Sequence, residues 1–165
     1  MDNIKQSLCD NVDRLLASLI DIIPITLIVF GVFYLFFGFD VILTTYQNRG
    51  TNNEPTIQFI IERNKIRDIS FLILIIYSIF MESSTMQGTF GKKLMGIRVV
   101  DLTGNKISLK KSTIRNLSKI LSYLILGLGF AWILFDKNKQ GWHDKIANTY
   151  VVKRTFVYNA AEEIE

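Results

Sequence analysis

The segment LLASLIDIIPITLIVFGVFYLFFGF, residues 15 to 39, most constrains what this chain can fold into. It exceeds the roughly 20 apolar residues that cross a bilayer as a helix. Its Leu, Ile, Val and Phe side chains are those for which insertion is favourable. Yet Arg14 opens the block, Asp21 interrupts it, and Pro24 follows. Arg14 and Asp21 lie two helical turns apart, on one face and about 10.5 Å apart along the axis. A carboxylate alone at that depth costs about 2.5 kcal/mol or more. Asp21 must therefore be protonated, paired or wet, and Pro24 contributes by leaving the Ile20 carbonyl without its usual donor.

A second apolar run starts at Ile69 and reaches about 20 residues only if it continues through ESSTMQ to Gly88, which places Glu82 at membrane depth. In an antiparallel pair of helices, Glu82 and Asp21 come to similar depths, where two carboxyls share a proton or a cation. Between the blocks, residues 40 to 68 form a polar connection with the turn cluster NRGTNNEP. The leader MDNIKQSLCDNVDR carries three acids and no small-residue cleavage site follows the block. The first helix is therefore expected to be retained and not to act as a signal peptide.

After Gly88, Ile97 to Asp101 and Lys106 to Ser108 flank turn residues that include Gly104-Asn105, which predicts a small β-hairpin on the cytoplasmic side. Ser108 is the expected N-cap of a helix from Leu109. On that helix Leu109, Ile114, Leu117, Ile120, Leu121 and Leu124 form one face, and Lys110, Lys111, Arg115, Ser118, Lys119 and Ser122 the other. Such a basic amphipathic start prefers the headgroup level, with Lys92, Lys93, Lys110 and Lys111 as headgroup contacts.

Residues 117 to 135 form a third apolar segment, which either spans or re-enters near Gly127 or Gly129. Three full crossings divide the Lys and Arg residues 10 against 9, whereas a re-entrant segment divides them 15 against 4. The positive-inside rule favours the second, with both termini cytoplasmic. Thr149 to Val152 can then pair with Ile97 to Val100 on one side of the membrane. The expected fold is an all-α integral membrane protein of the cell membrane. It has two full transmembrane helices, the third segment and the small hairpin, in a membrane domain of residues 1–153 followed by a polar tail of residues 154–165.

Composition supports a membrane class: 49% of residues are hydrophobic and mean hydropathy is +0.27. The net charge of +4 then points to an anionic membrane surface, not to nucleic acid. FGKKLMG is not a phosphate-binding loop, because the positions that need a glycine and a hydroxyl hold Met86 and Lys93. A single histidine with scattered acids does not make a zinc site, and neither a metal nor another cofactor is expected. Trp132 and Trp142 read as core or interface anchors.

Arg14, Asp21, GTFGKKLMGIRVVDLTGNKIS, IRNLSKILS and FDKNKQGWHDKIANTYVV run in order across residues 12 to 153. Together they resemble the RDD family of small, mostly bacterial membrane proteins, named for an arginine and two aspartates. The resemblance makes Asp144 the second aspartate. Phe90 stands where many relatives carry proline. What the resemblance implies is transport of ligands or ions, with cation/proton exchange in some members, and no enzyme activity.

The functional expectation is a small transporter or exchange component with Asp21, Glu82 and Arg14 at an ion or proton site, working as a homo-oligomer on a small cation or proton. The rival expectation is a non-transporting scaffold or accessory subunit in which Asp21 pairs with Arg14 or Arg115. In that reading Asp144 latches the C-terminal segment through backbone and Arg115 hydrogen bonds. Arg115, His143 and Asp144 are read as a structural network or a proton relay.

Overall fold

The computed structural model describes residues 7–124 and 132–155. The element order is α1 (Asn11–Phe36), α2 (Phe39–Gln47), α3 (Glu54–Ser83), α4 (Phe90–Leu94), β1 (Ile97–Asp101), α5 (Leu109–Leu124), a 3-10 turn (Trp132–Leu134), α6 (Trp142–Ala147) and β2 (Thr149–Lys153). Two compact units divide the chain, one of residues 22–74 and one of residues 1–21 with 75–165.

Among the described residues α1 is the one helix long and apolar enough throughout to cross a membrane. Its helix continues through Pro24. At about 1.5 Å per residue it is about 39 Å long. Its apolar side chains mostly face outward, as at Leu15, Leu27, Ile28 and Leu35.

In the unit of residues 22–74, Val29, Phe39 and Ile66 are buried together, with Phe33 and Phe59 against them. Phe59 stacks on Tyr46 with ring centroids 4.3 Å apart. The break between α1 and α2 falls at Gly38, whose φ of 68° is open to glycine at little cost. The polar connection expected over residues 40 to 68 is therefore largely helical. It forms α2 and the first half of α3, whose charged turns lengthen the helix well beyond the apolar run.

α3 also ends earlier than the sequence predicts, at Ser83 and not Gly88. The serines past Met81 turn their hydroxyls onto the preceding carbonyls, Ser83 onto Ile79 and Ser84 onto Met81, and Gln87 takes a left-handed φ of 51°. Side-chain bonds of this kind compete with the helix ladder. Glu82 consequently sits in the last turn of α3.

The other unit is organised by a two-stranded antiparallel sheet, in which β1 pairs with β2 in the register Ile97↔Lys153 to Asp101↔Thr149. Leu8 bridges to Val152 on the far side of β2, and the Cys9 amide donates to the Val151 carbonyl at 3.2 Å. One sheet layer thus gathers the N-terminal segment, the middle of the chain and its C-terminal part. The local hairpin with Lys106 to Ser108 does not form. Asp101 Oδ1 accepts from the Thr103 amide (2.9 Å), the Thr103 hydroxyl (2.6 Å) and the Asn105 amide (3.0 Å), which coils residues 101–105 into a side-chain-closed turn. The chain then leaves β1, Ile107 drops into the core, and Ser108 caps α5 by accepting from the Lys111 amide.

The core on one side of the sheet contains Cys9, Ala17, Ile97, Val99, Ile107 and Val151; Val100, Tyr150 and Val152 form the other cluster, with Leu8 against it. α4 crosses α1 backbone to backbone. A Cβ on Gly91 would lie 2.1 Å from the Ala17 carbonyl oxygen and 2.9 Å from an Asp21 carboxylate oxygen. Gly91→Ala is therefore expected to cost at least the roughly 1–3 kcal/mol typical of overpacking. Gly88→Ala, whose Cβ would meet the Lys92 side chain at 3.2 Å and the Ile97 carbonyl oxygen at 3.7 Å, should cost less. Thermal unfolding of the two variants in detergent checks the order, and equal stability would contradict the crossing.

Candidate functional site

α5 carries Ser112, Arg115, Asn116 and Lys119 at positions i, i+3, i+4 and i+7, so all four share one face. That face is the buried one: Ser112 and Asn116 are fully buried and Arg115 is 2% exposed. Leu109, Ile114, Leu117, Ile120 and Leu121 point outward. The helix is inverted relative to a soluble amphipathic helix, and the same holds for the surface around it, where Phe90, Leu94, Trp132, Leu134 and Phe135 are also exposed. An apolar exterior around a polar interior suits a hydrocarbon surround, because water would favour the reverse arrangement.

Arg115 joins two buried carboxylates. Its Nε and Nη2 donate to Asp144 Oδ1 at 3.0 and 2.7 Å, and its Nη1 lies 3.1 Å from Glu82 Oε2. A planar guanidinium with donors on two edges can do this, and a lysine ammonium cannot reproduce the fork. Asp144 Oδ2 in turn accepts from Arg14 Nη1 at 2.8 Å and from the Gly141 amide at 3.1 Å, which caps α6. Arg14 Nε donates to Cys9 Sγ at 3.0 Å.

Glu82 completes the network from the end of α3. It pairs with Lys92 of α4, accepts from Asn116 Nδ2 at 3.0 Å, and has Lys119 Nζ at 3.9 Å. Asn116 Oδ1 accepts from Lys119 Nζ at 2.6 Å, and the Ser112 hydroxyl donates to the Ile79 carbonyl at 2.8 Å. Removing one partner of a buried pair of this type generally costs about 3–5 kcal/mol, because the other charge is stranded.

Asp21 stands apart from these ion pairs. Its Oδ1 accepts from the Gly91 amide at 2.8 Å, and the Tyr77 hydroxyl accepts from the adjacent Phe90 amide at 2.7 Å. Asp21 is 8% exposed, and among the described residues no Lys, Arg or His forms an ion pair with it.

The residues singled out in the sequence are therefore brought together in a different grouping. Arg14, Arg115 and Asp144 meet, and Glu82 joins them through Arg115. Neither Arg14 nor Arg115 pairs with Asp21; both guanidiniums are turned to Asp144, which also holds the α6 N-terminus. His143 is buried beside Asp144, with Nε2 at 3.4 Å from Oδ1.

Lys92 is not a headgroup contact. It is 9% exposed and drawn inward to Glu82, a fully buried carboxylate that it pairs with beside Arg115. Lys93 and Lys110 are exposed, and Lys111 is half-buried with Asp101 Oδ2 at 3.8 Å. Ser112, Asn116, Tyr77 and Gly91 were not read from the sequence. The i, i+3, i+4, i+7 run of polar residues on α5 was the available signal for the first two. Among the described residues no group of three or more His, Cys, Asp and Glu is placed to hold a metal ion.

Burial pushes the His143 imidazole down to about 3, with Arg115, Lys119 and Arg14 adding to the shift against Asp144. Burial alone would raise the Asp144 carboxyl, but the charges of His143, when protonated, and of Arg115 and Arg14 outweigh it and hold Asp144 below the usual range. For His143 the unfolded chain takes up a proton near pH 6.5 that the folded chain refuses until about pH 3. Stability is then lost as pH falls through that window, whereas loss through Asp144 begins only below about pH 4. Because His143 is the one histidine of the chain, the slope between pH 6 and 5, about 1 kcal/mol per pH unit, should largely disappear in His143→Gln. Thermal unfolding of both proteins at several pH values checks this, and equal slopes would contradict a neutral buried imidazole.

Comparison with known proteins agrees with the family resemblance. A sequence model described as "RDD family" matches residues 10–148. The chain is 39% identical over 84 residues to the uncharacterized protein YxaI of Bacillus subtilis (strain 168), covering 51% of this chain and 55% of the relative. It is 35% identical over 83 residues to the uncharacterized protein RP437 of Rickettsia prowazekii (strain Madrid E), covering 49% and 46%. It is 36% identical over 101 residues to the uncharacterized protein YckC of Bacillus subtilis (strain 168), covering 56% and 67%. The chain thus spans about half the length of the first two of these relatives. No solved structure matches. The matched span takes in α1, the buried network and α6, and the chain belongs to the RDD family.

Proposed function

We propose that this is a multi-pass membrane protein that exchanges a proton or a small cation at Asp21, held in a frame fixed by the Arg14–Asp144–Arg115–Glu82 network. The observation that carries this reading is that Asp21 is buried within an apolar helix without a cationic partner among the described residues. A carboxylate in that setting takes up a proton or binds a cation. Glu82 and Asp144 do not suit the task, because the cations already bound to them would repel another. Glu82 is thereby a member of the frame and not a second exchanging acid.

In this reading α1 and α3 both cross the membrane. The topology is supported by the sheet: Leu8, β1 and β2 lie in one layer, so the segments that carry them belong on one side. Crossings between those segments then come in pairs, which favours a third segment that re-enters; residues 125–131, including the turn expected at Gly127 or Gly129, lie outside the described residues. The 15 against 4 division of basic residues makes the shared side cytoplasmic. Assembly into a homo-oligomer would supply walls for a conducting path that so few helices cannot enclose.

The rival reading is a scaffold or accessory subunit in which Asp21 only holds α4 against α1, and the Gly91 hydrogen bond favours it. Asn at position 21 can still accept from the Gly91 amide but cannot exchange a proton, so Asp21→Asn separates the two. In proteoliposomes containing a pH dye, an imposed Na⁺ or K⁺ gradient is expected to drive proton movement in the native protein. In folded Asp21→Asn that movement should fall to the level of empty vesicles. No flux in the native protein, or flux unchanged in the variant, would favour the scaffold.

A further inference from the structure

Asp21 and Tyr77 are held by consecutive amides of α4. Gly91 donates to Asp21 Oδ1 at 2.8 Å, and Phe90 donates to the Tyr77 hydroxyl oxygen at 2.7 Å. Neighbouring residues of a chain lie only about 3.8 Å apart from Cα to Cα, so the carboxylate of α1 and the hydroxyl of α3 are set side by side. Gly91 permits this approach, because a Cβ there would lie 2.9 Å from Asp21 Oδ2 and 2.1 Å from the Ala17 carbonyl oxygen. The cations of the surrounding elements are committed elsewhere. Arg14 of α1 pairs with Asp144, Lys92 of α4 with Glu82, and Arg115 of α5 with both acids, while Lys119 donates to Asn116 beside Glu82.

A hydroxyl has one hydrogen to donate and lone pairs with which to accept. At Tyr77 the Phe90 amide is bound to the oxygen, which turns the O–H bond away from that amide. An ionised carboxylate only accepts, and the Gly91 amide uses one of its roughly four lone-pair sites. Tyr77 is close enough to Asp21 for its hydroxyl to interact with the carboxylate charge. We propose that Tyr77 is a positioning residue of the exchange site: its O–H donates to ionised Asp21 and, with the Gly91 amide, sets the pH at which the acid releases its proton. The inference rests on the exchange reading and adds a second side chain to it. Without the Tyr77 hydroxyl the charged form would lose a donor in an apolar surround, and the proton would be held to higher pH.

Infrared difference spectroscopy of the full chain in proteoliposomes, titrated with pH, tests this without measuring flux. The protonated-carboxyl band that Asp21→Asn removes belongs to Asp21. In Tyr77→Phe the midpoint of that band should rise by about one pH unit, the scale of one hydrogen bond to a charged group. Tyr34→Phe, at an exposed tyrosine of α1, should leave the midpoint in place. A second measurement needs no change at Tyr77: in the native protein a tyrosine C–O band should shift at the Asp21 midpoint, and Asp21→Asn should abolish that shift. An unmoved midpoint in folded Tyr77→Phe, or a native spectrum in which no tyrosine responds with Asp21, overturns the proposal and leaves the exchange reading standing. Absence of any titrating Asp21 band overturns the proposal together with proton exchange at Asp21.

Discussion

Everything in the larger unit depends on the Arg115 guanidinium reaching two carboxylates at once. Asp144 comes from α6 and Glu82 from the end of α3, so one side chain of α5 ties three helices together. Arg14 adds α1 through Asp144, and Lys92 adds α4 through Glu82. In a water-soluble protein these helices would be held by a shared apolar core. Here their apolar faces are directed outward, which leaves charge-assisted hydrogen bonds as the contacts that specify how they meet. Such pairs are costly to desolvate, and they define geometry because each donor has a fixed direction.

The small sheet solves a different problem. β1 and β2 are far apart in sequence, and pairing them draws together chain segments that the membrane-level blocks would otherwise separate. With Leu8 and Cys9 bonded to β2, the entry to α1 is anchored in the same layer as the exit from α4 and the end of α6. Gly91 then lets α4 lie directly on the α1 backbone at Ala17, one turn before Asp21, and this close approach is what presents an amide to that carboxylate. Gly91 and Asp21 are thus two halves of one contact.

Much of this was legible in the sequence. Hydropathy located α1, Ser108 as an N-cap located the start of α5, and apolar runs located both strands, whose pairing the one-sided topology offered beside the local hairpin. What was not legible had physical causes. The choice between a local hairpin and a distant partner for β1 turned on Asp101 capturing three donors of its own turn. The inversion of α5 depended on the surrounding medium, because periodicity identifies two faces without saying which one is buried. Lys92 and Lys93 are adjacent in sequence and alike in chemistry, yet one is buried and one is exposed, because only Lys92 is drawn to Glu82 across the end of α3. The partners of Arg14, Asp21 and Glu82 came from helices distant in sequence, beyond the reach of spacing arguments.

The orientation of α5 tests the account most directly. Nitroxide labels placed singly at Leu109, Leu117, Ile120 and Leu121, with Cys9 replaced by Ala, report whether oxygen or a water-soluble nickel complex collides with each site in a reconstituted bilayer. An apolar exterior predicts strong relaxation by oxygen and weak relaxation by nickel at Leu117, Ile120 and Leu121, with the reverse at the exposed Lys93. Nickel prevailing along the leucine face, or neither reagent reaching it, would contradict a polar network enclosed by lipid-facing helices.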